Sequence, residues 1–413
     1  MKNMRFVLGF ILLLWAVSGY ARQYQVGRGT AQPSLRRALQ NAAAGDTLLL
    51  MPGRYAEGNL VIDKPLYLKG VNWPVLDGNK SVEVLSIKSP LVTVEGLAVI
   101  RSGKQALDEP CGIKVYNTKN VTIRGNYLND NYFGIYLQNA SGCVVKNNVI
   151  QGYGVDELGI GNAIHCWKCD SIQVTGNYTS GHRDGIYFEF VSHSVIWRNV
   201  SEKNIRYGLH FMFSDQDDYI GNVFTQNGAG VAVMFTKKVK MINNTFVQNW
   251  GDAAYGLLLK EISDSYILGN RFINNTTGIL LEGASRFTIA GNVFQNNGWG
   301  MKIQASSIDN VVRNNNFLGN TFDVSTNGTL VMNTFEQNYW DKYEGYDLNR
   351  DNTGDEPFHP LSLFAVIIAN NPPAILLYRS FMVTLLDRSE KLMPSLTPEN
   401  FVDEKPLMKQ LPL

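Results

Sequence analysis

The chain has 413 residues, with 37 basic against 36 acidic side chains and a charged fraction of only 18%. That balance, with no run of Lys or Arg, excludes a nucleic-acid partner, since phosphate binding needs a basic footprint, and a hydrophobic content of 45% excludes disorder. Length alone suggests two or three domains, but 41 asparagines, 31 of them between Asn117 and Asn338, point to a repeat instead.

Lys2 and Arg5, the apolar residues 6–17 and the small residues Gly19 and Ala21 make the three parts of a secretory signal peptide, 1–21, cut before Arg22. Its apolar stretch is about a dozen residues, short of the roughly 20 that a membrane span needs. The expected location is a bacterial periplasm, an oxidising compartment for the four Cys. Residues 34–44 then form a short amphipathic helix, placed to cap the open core of a solenoid, and strand-like runs follow at 47–51, 60–62, 66–68, 82–87 and 92–100.

From Asn126 onward the chain repeats. Asn126, Asn148, Asn177, Asn199, Asn222, Asn244, Asn270 and Asn292 are separated by steps of 22, 29, 22, 23, 22, 26 and 22. Fourteen residues before each stands a Gly (Gly112, Gly134, Gly185, Gly208, Gly230, Gly256, Gly278), except that Ala163 fills the slot before Asn177. Alternating apolar residues follow the Gly, and Phe224, Phe246, Phe272 and Phe294 follow the Asn as a second inward column. About 22 residues per turn is one coil of a parallel β-helix, so the fold class is all-β, a solenoid over 22–338. The recurring Asn is expected to form a side-chain ladder at a bend, with Gly beside it at positive φ.

The outward positions lie two and four residues after the Gly slot. They put His165, Tyr187 and His210 in one column on successive coils, and Trp167, Glu189, Met212 and Met234 in the next. Imidazole and thioether are soft ligands suited to transient Cu(I) binding, which makes His165, His210, Met212 and Met234 candidate metal ligands. The alternative is a protein-contact surface, or a face covered by the seven extra residues of the 29-residue step, around 153–161.

Other motifs carry less. Cys166-Trp167-Lys168-Cys169 has redox or zinc spacing but no second Cys pair, and is expected to be core or disulfide. Gly181-His182-Arg183-Asp184-Gly185 is an inter-strand turn. After Asn333 the repeat decays into an acidic turn and linker, 339–360. There Asp347, Asn349 and Asp351 have calcium-loop spacing, without Gly at the sixth place or Glu at the twelfth. Residues 361–413 form a helical tail rich in Leu, Ile, Phe and Met, which needs something to pack on.

Several of these stretches resemble the NosD family of periplasmic copper-enzyme maturation proteins: residues 184–190, 206–213, 255–260 and 339–347, with the tail segments 371–374 and 395–400. The resemblance covers nearly the whole mature chain, and the tail makes it specific. It implies a right-handed, pectin-lyase-like β-helix working with an ABC transporter (membrane subunit and ATPase), a copper-chaperone lipoprotein and nitrous oxide reductase. The implied role is assembly of the reductase's copper–sulfide centre, without catalysis. The tail, with Tyr378, Phe381 and Met382, would dock on the transporter and hold the protein peripherally at the inner membrane. The outward face, with Trp167, Tyr187 and Glu189, would meet the chaperone or the reductase. The candidate copper ligands rest on their columns, not on the resemblance. The rival reading is a polysaccharide lyase, hydrolase or carbohydrate-binding β-helix, but the outward carboxylates Glu189 and Glu282 stand apart, where sugar hydrolysis needs a pair.

Overall fold

The computed structural model describes residues 21–104, 109–251, 253–328, 332–392 and 401–413; the signal peptide, apart from Ala21, and the 395–400 motif lie outside them. Three parallel sheets of 14, 12 and 13 strands run the length of a right-handed solenoid, and each strand pairs with its equivalents on the coils before and after. The expected registers hold residue for residue: His165 pairs with Tyr187, Tyr187 with His210, Glu189 with Met212, and Met212 with Met234.

The inside is apolar and stacked. Phe224, Phe246, Phe272 and Phe294 lie nearly parallel at 4.7–5.5 Å, and the column continues through Phe317 to Trp340. Trp340 belongs to the strand Tyr339–Trp340, so the solenoid runs past 338. At the other end the helix Leu35–Asn41, N-capped by Ser34, turns Leu35, Ala38 and Leu39 into the core and closes the first coil.

The asparagine ladder is continuous from Asn126 to Asn338. Each side-chain amide donates to Oδ1 of the next at 2.9–3.0 Å. A second ladder, which the sequence reading missed, runs through Asn204, Asn227, Asn249, Asn275, Asn297 and Asn320, each five residues after a first-ladder Asn. Both ladders bury amides only because every bend supplies the next acceptor.

One buried acid breaks this economy. Asp217 accepts from the Ser194 backbone N–H through Oδ1 (2.6 Å), while its Oδ2 and the nearby Tyr219 hydroxyl have no partner among the described residues. Burial, with Asp215 and Asp218 adding like charge, pushes its carboxyl up to about 8. The folded state therefore keeps a proton that the unfolded chain releases near pH 4, and this contribution to stability falls as pH rises from about 4 to about 8. Asp217→Asn removes that slope. Between about pH 5 and about pH 8.5 the variant should gain up to about 4 kcal/mol relative to the parent in denaturant titrations. Parallel stability curves would show that Asp217 is ionised in the fold.

The tail is part helix, part strap. Leu363–Asn370 and Phe381–Leu392 are helices joined by the 3-10 turn Pro372–Leu377. Residues 401–413 are not helical. They run back along the last coils, with Phe401 and Asp403 fully buried. No helix among the described residues is long and apolar enough to cross a membrane.

Candidate functional site

The twelve-stranded sheet carries the face in question, on the strands Ile164–Asp170, Asp184–Ser192, Tyr207–Met212 and Ala229–Lys237. The first outward column forms a ladder of rings: Tyr136, His165, Tyr187 and His210 follow one another at centroid distances of 4.3, 4.7 and 4.9 Å. The expectation of an exposed His column needs correction here, since His165 and His210 are each only 6% exposed. Tyr187, sandwiched between them, is buried too, and so offers no contact surface.

What covers the column comes from the turns. Asn162 Nδ2 donates to His165 Nδ1 at 3.1 Å, and the amide is oriented by Arg183, which donates to its Oδ1 at 3.2 Å. Arg206 donates to His210 Nδ1 at 3.0 Å and forms a two-pronged pair with the fully buried Asp184 at 3.0 and 2.7 Å. A guanidinium can only donate, so Nδ1 of His210 accepts and its neutral ring carries the proton on Nε2; the same holds for His165. Both Nε2 atoms are buried without a partner. Burial, helped by the positive charge of Arg183, lowers the His165 pKa to about 3, so this ring stays uncharged. Neither ring presents a free lone pair at Nε2 in this arrangement. Within the insertion Val155 and Leu158 project into solvent while Ile160 packs inward.

The second column is different. Trp167, Glu189, Met212 and Met234 are half-buried and reachable from solvent, and the Tyr187 hydroxyl lies 3.9 Å from the Met212 sulfur. One residue further along each strand stands a feature the sequence reading passed over. Phe190, Phe213 and Phe235 are exposed and stacked at 5.3 and 5.2 Å, each at a positive φ of 49–55°. The corner is left-handed on the neighbouring coils as well, where Asn117, Asn139, Lys168, Glu261 and Gly283 occupy it. Three stacked, solvent-facing aromatics beside two methionines make an exposed apolar strip of the kind that marks a contact surface.

Two smaller expectations resolve here. Cys166 and Cys169 are buried free thiols in the core, as are Cys111 and Cys143. The calcium reading does not stand. Asp347 accepts from the backbone N–H of Asp351 and Asn352, Asn349 from Asp351, and Asp351 from Thr353, so these oxygens serve turns within the loop instead of converging on a cation. Among the described residues no three His, Cys, Asp or Glu side chains group as a metal site.

A family model described as periplasmic copper-binding protein (NosD) matches residues 39–158 and 149–345. The chain belongs to the NosD family. It is 36% identical over 163 residues to a Pseudomonas aeruginosa NosD named as a probable ABC transporter binding protein; the match covers 39% of this chain and 38% of that relative's length. By shape the chain resembles a family 28 exopolygalacturonase of Yersinia enterocolitica (TM-score 0.55, 9% identity, 76% and 77% of the two chains). It also resembles an α-1,3-glucanase catalytic unit of Streptomyces thermodiastaticus (TM-score 0.53, 12% identity, 77% and 67%). At those identities the likeness is one of fold, and a β-helix supports many functions.

Proposed function

We propose that this protein is an exported, non-catalytic accessory factor that handles Cu(I) during assembly of the copper–sulfide centre of nitrous oxide reductase. It would work with a copper-chaperone lipoprotein and dock on an ABC transporter through its C-terminal tail. The observation that carries the reading is the coincidence of a copper-binding family description over 39–345 with paired, solvent-reachable thioethers at Met212 and Met234 on neighbouring coils.

Copper is cargo here. The thioethers of Met212 and Met234 are its ready ligands, soft enough to prefer Cu(I) and weak enough to release it. His210 joins them when Arg206 is drawn wholly onto Asp184. The proton then moves to Nδ1 facing Asp184 Oδ2, now 3.7 Å away, and Nε2 gains a lone pair in the carboxylate–histidine–metal pattern. His165 takes no part, because Asn162 holds its Nδ1 and the Tyr187 ring separates it from His210. The exposed Phe190–Phe213–Phe235 ladder, with Trp167 and Glu189 beside it, suits contact with the protein that gives or takes the copper. Leu376, Phe381 and Met382 on the tail are exposed apolar side chains fit for the transporter.

The test is the copper content of nitrous oxide reductase produced with and without this protein. Reductase lacking the copper–sulfide centre only in its absence is expected; a normally loaded reductase in its absence would remove the assignment.

A further inference from the structure

At the far end of the same face the structure leaves a cation without a counterion. Lys302 lies on the strand Trp299–Ile303, in register with Leu280 before it and Ser325 after it. Its ammonium sits 3.7 Å from the centre of the Trp299 ring. Trp299 stacks on Phe322, which in turn meets Phe364 and Tyr378 of the tail. A cleft of about 150 Å³, lined by Leu280, Trp299, Gln304, Ser325 and Ala369, opens beside Lys302. Ala369 comes from the tail helix, so the cleft is the seam where tail and solenoid meet.

Among the described residues Lys302 forms no ion pair. The nearby carboxylates of this face are committed elsewhere, Glu282 to Lys260 at 2.8 Å and Asp323 to Lys342 at 3.0 Å. Burial lowers the lysine's pKa, and no acid offsets it. The ring beneath stabilises the half-buried ammonium only weakly, and no carboxylate among the described residues stands beside it. The tail adds Arg379 and no Asp or Glu from 361 to 386, the first acids being Asp387 and Glu390 further along the helix Phe381–Leu392, and its Leu376 and Phe381 are 87% and 83% exposed. Among the described residues this is an apolar surface with a recessed cation and no free carboxylate, complementary to an apolar surface that carries one.

We infer that the Lys302–Trp299 cleft receives an Asp or Glu side chain of the protein that covers the tail's apolar face, and that this ion pair sets the register of docking. The inference rests on the tail-docking reading above. A side-chain carboxylate fits a cleft of about 150 Å³.

The experiment is capture of the full-length protein by the transporter's membrane subunit, comparing Lys302→Met, Lys302→Glu and Lys302→Arg with a tail variant, Tyr378→Ala/Phe381→Ala/Met382→Ala. Methionine keeps the aliphatic stem on Trp299, so folding is preserved and is checked by melting. Capture reduced tenfold or more by Lys302→Met and Lys302→Glu, and retained by Lys302→Arg, is expected. If the tail variant loses capture while Lys302→Met and Lys302→Glu keep it, the carboxylate cleft is wrong and docking stands. If the tail variant itself keeps capture, the docking reading falls and takes the partner assignment with it. A loss of binding to phosphatidylglycerol vesicles by Lys302→Met, with capture by the membrane subunit unchanged, would overturn the protein partner in favour of lipid.

Discussion

Replacing Met212 and Met234 together by leucine should leave nitrous oxide reductase without its copper–sulfide centre while leaving this protein folded. Leucine matches methionine in volume and polarity, and both side chains are half-buried on the surface of the sheet, so packing changes little. What disappears is the pair of thioethers, in register on adjacent coils. Cu(I) affinity, measured by competition with a chromogenic chelator, should fall about a hundredfold, or about 2.7 kcal/mol, and copper in the co-produced reductase should drop to the level found when this protein is absent. His210 is a poor single target. Its removal would leave the buried Asp184–Arg206 pair around a void, so a loss of function would not distinguish ligation from damage. Unchanged Cu(I) affinity and a fully loaded reductase in the double methionine variant would place the copper elsewhere.

Much of this was legible because a solenoid turns sequence period into space. The Gly slot, filled by Ala163 on one coil, and the Asn fourteen residues later set the register of the eight units from Gly112 to Asn292, so the pairing of His165 with Tyr187 and of Met212 with Met234 followed by counting. Alternation also says which way a side chain leaves its strand. It does not say what the neighbouring turns lay on top. Asn162, Arg183 and Arg206 come from those turns, and they convert an outward His column into a buried one. Phe190, Phe213 and Phe235 escaped because they sit at the corner, where alternation ends and the backbone turns left-handed. The second asparagine ladder did have a signal, an Asn five residues after Asn199, Asn222, Asn244, Asn270, Asn292 and Asn315. Lys302 gave none, since its lack of an anion is a fact about every neighbouring coil at once.

The last coil shows the same limit in a residue far along the chain, and it carries the largest stability effect. Every solenoid must satisfy the bend that has no next coil. Here Asp403, returning 65 residues after Asn338, takes the place of the missing asparagine. Its carboxylate accepts from the backbone N–H of Gln337, Asn338 and Lys405, from Asn338 Nδ2 and from the Trp340 indole, all at 3.0–3.1 Å, while Phe401 packs on Phe335 beneath it. Asp403→Ala strands several buried donors at once, each costing about 1–3 kcal/mol when unpaired. Partial relaxation and entry of water bring the expected net loss to about 3–5 kcal/mol, concentrated in the final coils. Hydrogen exchange should quicken at Asn338 and at the Trp340 indole, and proteolysis should begin in 401–413, with the coils around His210 unaffected. Asp403→Asn, which keeps a carbonyl acceptor but places a donor against donors, should lose less than alanine at the indole and more than the parent. Unaltered exchange at Trp340 in Asp403→Ala would mean that Phe401 and the Phe317 stack close the solenoid without the carboxylate. Because this latch lies beyond the exposed helices, cutting the chain at Pro372 would remove it together with the docking face. A truncated protein that no longer binds the transporter therefore says nothing about Tyr378, Phe381 or Met382, whereas their point variants leave the latch in place.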